Sequence, residues 1–392
     1  MIDSLNIDVA IVGGGITGLW LLSHLRACGY SALLVEGRRL GQGQTIASQG
    51  LIYGSSSYTL AGMGGAIDRT ADSPTETWRR CLAGTGEVDL SSVRQLSQCQ
   101  YLWVPKVRSS WWGRLIHPFK RKPAQAMPEG IECPALLSQL GIEGPVYRLD
   151  EPVLEVASLL QVLAEQQREA IVLNQGTVVL SSDGAITLEA PERNPITIRP
   201  RCCVFTAGVD NAALVWAPVK IRTLHMIMVR GKHLPDNLYA HCLSDTATPR
   251  LTITSHHAAD GAVVWYLGGR LVEEGNRRRF SQQLREARRE LARLLPKVEL
   301  KDTQFAALRI RRVGSLSTEG ERPGKPGISQ NGKVIAAWSG SLSMVPKLAE
   351  AVIKRLERNG LHPTAVTLEP LADWPRPEVA RYPWDNENLI WQ

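Results

Sequence analysis

A strand-sized apolar run, Asp8 to Val12, passes directly into Gly13-Gly14-Gly15-Ile16-Thr17-Gly18 and then into Leu19 to Leu25 at helical spacing. A G-x-G-x-x-G turn between a buried strand and a helix restricts this part of the chain to a βαβ unit that presents a helix N-terminus to a dinucleotide. Gly13 permits the tight turn, Gly15 lets the backbone approach a pyrophosphate, and Gly18 lets the helix pack close to the strand. The amide groups opening the helix, Ile16 and Thr17 among them, complement the phosphate charge. A second apolar run, Ser31 to Val35, ends in Glu36, about eighteen residues beyond Gly18. A carboxylate there accepts hydrogen bonds from ribose hydroxyls and disfavours a 2′-phosphate, so NADP does not suit the site.

At 392 residues the chain exceeds one ordinary core, which implies two domains. Its 44% hydrophobic and 21% charged residues are those of a globular protein. The first residues lack the basic and small-residue pattern of a signal peptide, and no apolar stretch reaches the roughly 20 residues that cross a bilayer, so a cytoplasmic location is expected. Seven cysteines, an odd number without CxxC spacing, read as buried reduced thiols; no metal site is expected.

Four segments in order resemble one family. They are Val12 to Gly18 with Glu36; Leu40-Gly41-Gln42-Gly43-Gln44-Thr45-Ile46-Ala47-Ser48-Gln49-Gly50-Leu51-Ile52; Cys202 to Gly208; and Lys333 to Pro346. Together they resemble the D-amino-acid oxidase/glycine oxidase superfamily of FAD-dependent oxidoreductases, the second glutathione-reductase-like group. The resemblance implies an α/β protein: a Rossmann-type FAD-binding domain plus an α+β substrate domain with a mainly antiparallel sheet. It assigns 1–80, 144–215 and 305–392 to the first and 81–143 and 216–304 to the second. It also implies that FAD is met by Gly37, Arg38, Thr45, Ala47, Ser48, Gln49 and Gly50, by Thr177 or Val178 at adenine, and by Ala207 and Gly208. Gly340, Ser341, Leu342 and Ser343 would lie at the flavin, where a helix N-terminus stabilises negative charge developing on the ring.

No second strand–G-x-G-x-x-G–helix unit follows, so electrons are expected to come directly from a bound organic substrate rather than through a nicotinamide domain. Neither flavin-side segment holds Cys or His, which implies non-covalent FAD. The resemblance implies hydride removal from a carbon bearing an amine or hydroxyl, with a guanidinium gripping the substrate carboxylate. Arg309, in Ala307-Leu308-Arg309-Ile310-Arg311-Arg312, falls about where the family carries that arginine, although Ile310 replaces the usual proline. Tyr53 is placed to close the pocket, and His256, His257 and Tyr266 lie in or beside candidate strands. The expected function is oxidation of a small amine, amino acid or 2-hydroxy acid, with oxygen or quinone as acceptor. The alternatives are a quinone-linked dehydrogenase resembling glycerol-phosphate or hydroxyglutarate dehydrogenases, and a flavin-binding protein without turnover.

Six cations and no acidic residue occupy Tyr101 to Ala124, together with Trp103, Trp111 and Trp112. The stretch reads first as a surface loop or dimer contact and second as a peripheral membrane element. No nucleic-acid-binding module accompanies it.

Overall fold

The first strand, Ser4–Val12, is buried from Ile7 onward and takes parallel neighbours on both sides, Val9 standing opposite Ala32 in Ala32–Glu36 and Cys202 in Ile196–Phe205. A strand covered on both faces reads as a continuous apolar run. The computed structural model describes residues 4–54, 57–59, 62–64, 73–105, 130–176, 178, 181, 184–246, 248–314 and 326–392, with backbone alone at 57–59, 62–64 and 130–131. Its first sheet runs Ile171–Leu173, Ala32–Glu36, Ser4–Val12, Ile196–Phe205, Val334–Trp338, Gly327–Asn331, with Ile186–Leu188 also on Ile196–Phe205. The first five strands are parallel and the two others antiparallel. The helix Ile16–Ala27 packs against Val345–Arg358 and Val156–Gln166 and is buried almost all round, hence its apolar sequence.

Eight strands form a second sheet in the order Gln304–Gly314, Lys220–Arg230, Val263–Gly268, Leu251–His257, Tyr239–Cys242, Gln100–Trp103, Val146–Leu149, Gly130–Ile131. All its pairs are antiparallel except Tyr239–Cys242 with Gln100–Trp103. The architecture is thus a Rossmann-type parallel sheet beside an α+β unit with a mainly antiparallel sheet. Two strands fall across the division drawn from sequence: Val146–Leu149 and Gln304–Gly314 pair within the second sheet. Pairing of Gln304–Gly314 along all of Lys220–Arg230, and of Val146–Leu149 with Gln100–Trp103, outweighs their neighbourhood in the chain.

Other expectations are corrected locally. The strand that opens at Ile171 stops at Leu173, short of Thr177 and Val178. The buried Asn174 side chain bends the chain there, donating to the Gly176 carbonyl and accepting from the Glu189 amide, and Val178 lies outside any strand. Cys28 is exposed, unlike Cys81, Cys202, Cys203 and Cys242, whose thiols burial pushes up to about 12. The basic tryptophan-rich stretch lies outside the described residues from Lys106 to Ala124, while Trp103 is buried in the second sheet. No helix among the described residues is long and apolar enough to cross a membrane.

Asp8 fastens the first strand to the C-terminal segment. Its buried carboxylate accepts from the Ser31 amide and hydroxyl, the Thr364 amide and hydroxyl, and Arg201 at 2.7–3.0 Å. Burial raises its pKa, but the Thr364 and Ser31 hydrogen bonds outweigh burial and hold it below 3.8. A depressed carboxylate contributes stability above its unfolded pKa and loses it as pH falls through the folded one. Asp8→Asn should therefore cost about 2–4 kcal/mol at neutral pH, and its difference from wild type should narrow below pH 3.8. Denaturant unfolding as a function of pH checks this; a difference constant down to the acid limit would show that charge is not involved.

Candidate active site

Two groups of residues gather where the parallel strands end. The first surrounds the glycine turn. Gly13 has φ +110°, and a Cβ there would come within 2.9 Å of the Ala207 backbone; a Cβ on Gly18 would meet the Gly13 carbonyl at 2.1 Å. Both positions therefore require glycine for the close approach of strand, turn and helix. At Gly15 a Cβ would meet nothing nearer than Thr45 Oγ1 at 3.3 Å, and at Gly208, with φ +58°, nothing within 4 Å. Gly15, which precedes the helix beginning at Ile16, has no side chain to cap it, and the first turn holds no acidic residue.

Glu36, at its strand's end, accepts from the Gly14 amide at 2.6 Å and the Arg38 amide at 2.8 Å, so its carboxylate lies against the turn. Thr45 accepts from the Ile16 amide at 3.2 Å. Gly37 follows Glu36, and Arg38 is exposed and pairs with Asp210 at 3.8 Å. Thr17 is buried; Val178 is half-buried against the core; Thr177 lies outside the described residues.

The second group lines a cavity of about 350 Å³ between the sheets. Ala47, Ser48, Gln49, Gly50 and Tyr53 form one wall, and Gly340, Ser341, Leu342 and Ser343 another. Strand Val334–Trp338 delivers the second segment, which turns through Leu342–Met344 into the helix Val345–Arg358. Ser343 Oγ accepts from the Tyr53 amide at 2.7 Å and joins the two walls. Gln44 donates to the Ser339 carbonyl and accepts from the Val313 amide, tying the loop to both sheets. Gln49 donates to the Tyr266 carbonyl and Thr254, and the Tyr266 hydroxyl donates to the Ala47 carbonyl. The Gln49 side chain thus holds the loop rather than pointing freely into the cavity. Gly50, at φ +71°, is needed where a Cβ would strike the Leu154 carbonyl at 2.0 Å.

A flavin dinucleotide fits these features: a helix start without an acidic residue and with open space at Gly15 and Gly208, a carboxylate at the second strand's end, and a buried Ser48 hydroxyl that finds no partner among the described residues.

The third wall belongs to the second sheet, and there the pleat decides which arginine enters. Side chains alternate between faces along a strand. Leu308, Ile310 and Arg312 share one face of Gln304–Gly314, and Arg309 and Arg311 the other. Arg312 lines the cavity together with Arg222, Leu224 and Met226 of the neighbouring strand. Arg309 is exposed on the opposite face, opposite His225 and donating to the Arg278 carbonyl at 3.0 Å. Arg309 therefore lies outside the cavity, and Arg312 lines it. Alternation in Leu308-Arg309-Ile310-Arg311-Arg312 carried that signal, because two arginines alternate with apolar residues before Arg312 falls on the apolar face.

Arg312 and Arg222 are register partners, and Arg312 donates to the Gly340 carbonyl at 3.4 Å. Burial, and then the Arg222 cation, lower the Arg312 pKa, though a guanidinium keeps its proton. Glu273, also in the cavity wall, stands 3.9 Å from Arg222. His256 is elsewhere, in a nest with Tyr266, Tyr382 and Trp384, where burial pulls its pKa to about 3; His257 is exposed beside Asp236.

The DAO family of FAD dependent oxidoreductases matches residues 8–361. The FAD-dependent oxidoreductase PA4991 of Pseudomonas aeruginosa is 37% identical over 98% of this chain and 99% of its own. Its crystal structure superposes with a TM-score of 0.78 at 35% identity, again over 98% and 99% of the two chains. Glycine oxidase from Geobacillus kaustophilus shares the fold at TM-score 0.59 and 15% identity over 94% and 98%. Glycerol-3-phosphate dehydrogenase from Bacillus halodurans, complexed with FAD, shares it at 0.57 and 14% over 93% and 67%. The chain belongs to the DAO family of FAD-dependent oxidoreductases, and FAD is its cofactor.

Proposed function

We propose that this oxidoreductase removes a hydride from the carbon that bears the amine or hydroxyl of a small amino acid or 2-hydroxy acid. One observation carries the reading: Arg312 and Arg222 stand opposite each other on adjacent strands and face the same cavity as Ser48 and Gly340 to Ser343. Like charges placed directly across a sheet destabilise it, and a bound anion relieves them. A carboxylate accepts two parallel N–H bonds from one guanidinium, which fixes its orientation as well as its position.

In this reading Gly13, Gly15, Ile16, Thr17, Gly18, Glu36 and Gly37 hold the adenosine and pyrophosphate half of FAD with Ala207 and Gly208. Ala47, Ser48, Gly50 and Gly340 to Ser343 border the ring. Bound FAD supplies the two-electron acceptor at flavin N5. The chain's own residues bind the acid through Arg312, align its carbon, and enclose it between Tyr53 and the second sheet. Alignment of this kind supplies much of an enzymatic rate.

Anaerobic mixing with a panel of small amino acids, 2-hydroxy acids and uncharged amines tests the reading by flavin absorbance. We expect one or more acids to bleach the flavin; bleaching by uncharged amines alone would refute the reading. Peroxide release in air, against reduction of an added quinone, then assigns the acceptor.

A further inference from the structure

Gln304–Gly314 is the end strand of the second sheet: Lys220–Arg230 pairs with it on one side, and its outer edge meets no strand among the described residues. Such an edge leaves outward N–H groups without ladder partners. Phe305 and Val313, an even number of residues apart, both turn their N–H outward, Phe305 donating to the Gln392 carbonyl and Val313 to Gln44. Arg312 lies two residues from the strand's last residue, Gly314, where pairing on one side alone would let the backbone fray. There the Gln44 side chain stands in for the missing strand. Its Oε1 accepts from the Val313 amide at 2.9 Å, and its Nε2 donates to the Ser339 carbonyl at 3.1 Å. An amide N–H only donates and a carbonyl only accepts, so these partners fix which way the Gln44 amide points.

The peptide group that Gln44 holds is the one that follows Arg312, so it sets the Cα from which the guanidinium starts. The guanidinium in turn donates to the Gly340 carbonyl at 3.4 Å, next in the chain to Ser339. Ser339 is itself fastened, its Oγ accepting from the Ser341 amide at 3.2 Å and donating to the Ser341 carbonyl at 2.7 Å. Gln44, Ser339–Gly340 and Arg312–Val313 thus close a ring across three segments. Gln44 also precedes Thr45, whose hydroxyl accepts from the Ile16 amide, so the same loop reaches the glycine turn.

We propose that Gln44 is a positioning residue for the substrate: it holds the Arg312 guanidinium in place against the wall formed by Gly340 to Ser343, so that the carboxylate grip and the alignment of the reacting carbon are set together. Gln44 does not line the cavity and acts through Arg312. The proposal rests on reading Arg312 as the carboxylate's partner. A two-point grip tolerates little displacement, and alignment of the reacting carbon tolerates less. Without the Gln44 amide, the N–H of Val313, a residue 1% exposed, loses its acceptor and the strand end is free to shift.

The test uses the FAD-loaded enzyme and two ligands that cannot be oxidised because C2 bears no hydrogen: 2-hydroxyisobutyrate and its primary amide. Dissociation constants are read from the perturbed flavin spectrum. Wild type should bind the acid about 10²-fold more tightly than the amide, and Arg312→Ala should bring the two together. Gln44→Met, which keeps the length and removes both hydrogen bonds, should weaken the acid about tenfold and the amide by less than about twofold. Gln44→Ala, which empties the position instead, should give the same pattern. Added to Arg312→Ala, Gln44→Met should not weaken the acid further, because the two residues act in series. A merely structural role would weaken acid and amide together in both backgrounds. An intact preference in Gln44→Met and Gln44→Ala, or equal losses for acid and amide, would overturn the proposal and leave the Arg312 reading standing. Equal constants in wild type, no binding of the acid, or a preference that survives Arg312→Ala would overturn that reading and the proposal with it.

Discussion

Replacing Arg312 by alanine should lower kcat/KM for an acid substrate by roughly 10²–10³, about 3–4 kcal/mol, while Arg309→Ala changes it less than about twofold. The contrast follows from the pleat. Arg312 shares a face with cavity-lining Arg222, Leu224 and Met226, whereas Arg309 points to the opposite side and donates to a backbone carbonyl. Arg312→Lys should recover only part of the loss, because an ammonium cannot form the planar two-point grip. Arg222→Ala should cost less, about tenfold, since Glu273 already offsets that cation at 3.9 Å. Steady-state kinetics with the acid found in the anaerobic panel measures all four variants. Equal losses at Arg309 and Arg312 would contradict the assignment.

Gly18→Ala and Gly15→Ala should fail in different ways. A methyl on Gly18 would lie 2.1 Å from the Gly13 carbonyl and 2.7 Å from Thr206 Oγ1, with backbone on one side and the residue that follows strand Ile196–Phe205 on the other. Neither can retreat without opening the turn, so this variant should lose about 3 kcal/mol or more and yield little soluble protein. A methyl on Gly15 meets just Thr45 Oγ1 at 3.3 Å. The apo protein should keep its stability to within about 1 kcal/mol, while FAD affinity falls about 10–100-fold because the methyl occupies the space left for the pyrophosphate. Thermal unfolding of the apo proteins and FAD titration separate the two outcomes. Loss of apo stability at Gly15 equal to that at Gly18 would show that both glycines serve packing alone.

The glycine turn was legible in sequence because its demands are local: a strand, three glycines at fixed spacing and a helix stand within the same short stretch. Glu36 was legible for a similar reason, since one helical crossover sets its distance from Gly18. Two walls of the cavity were legible, because Ser48 and Gly340 to Ser343 lie in segments that resemble the family and Tyr53 follows directly on the first of them. The third wall was less so. Position in the chain suggested Arg309, and the strand's alternation, which was present in the residues, had to overrule position. The contact between Gln100 and His241, which ties Gln100–Trp103 to Tyr239–Cys242, was invisible for another reason. Gln100 and His241 are 141 residues apart and meet through the parallel pairing of Gln100–Trp103 with Tyr239–Cys242. No spacing within either segment announces that contact. Likewise Gln304–Gly314 joined the second sheet through pairing with Lys220–Arg230, which a division drawn along the chain could not show.

The central claim is that a carboxylate held in the Arg312 cavity places its neighbouring carbon for hydride removal. The most direct measurement compares each acid of the panel with its own primary amide, under anaerobic conditions, by the rate of flavin bleaching in the wild-type enzyme. The amide keeps the reacting carbon and its amine or hydroxyl and removes the charge. The account predicts that an acid bleaches the flavin and that its amide does so at least about 10²-fold more slowly. Bleaching by acid and amide at the same rate would contradict it.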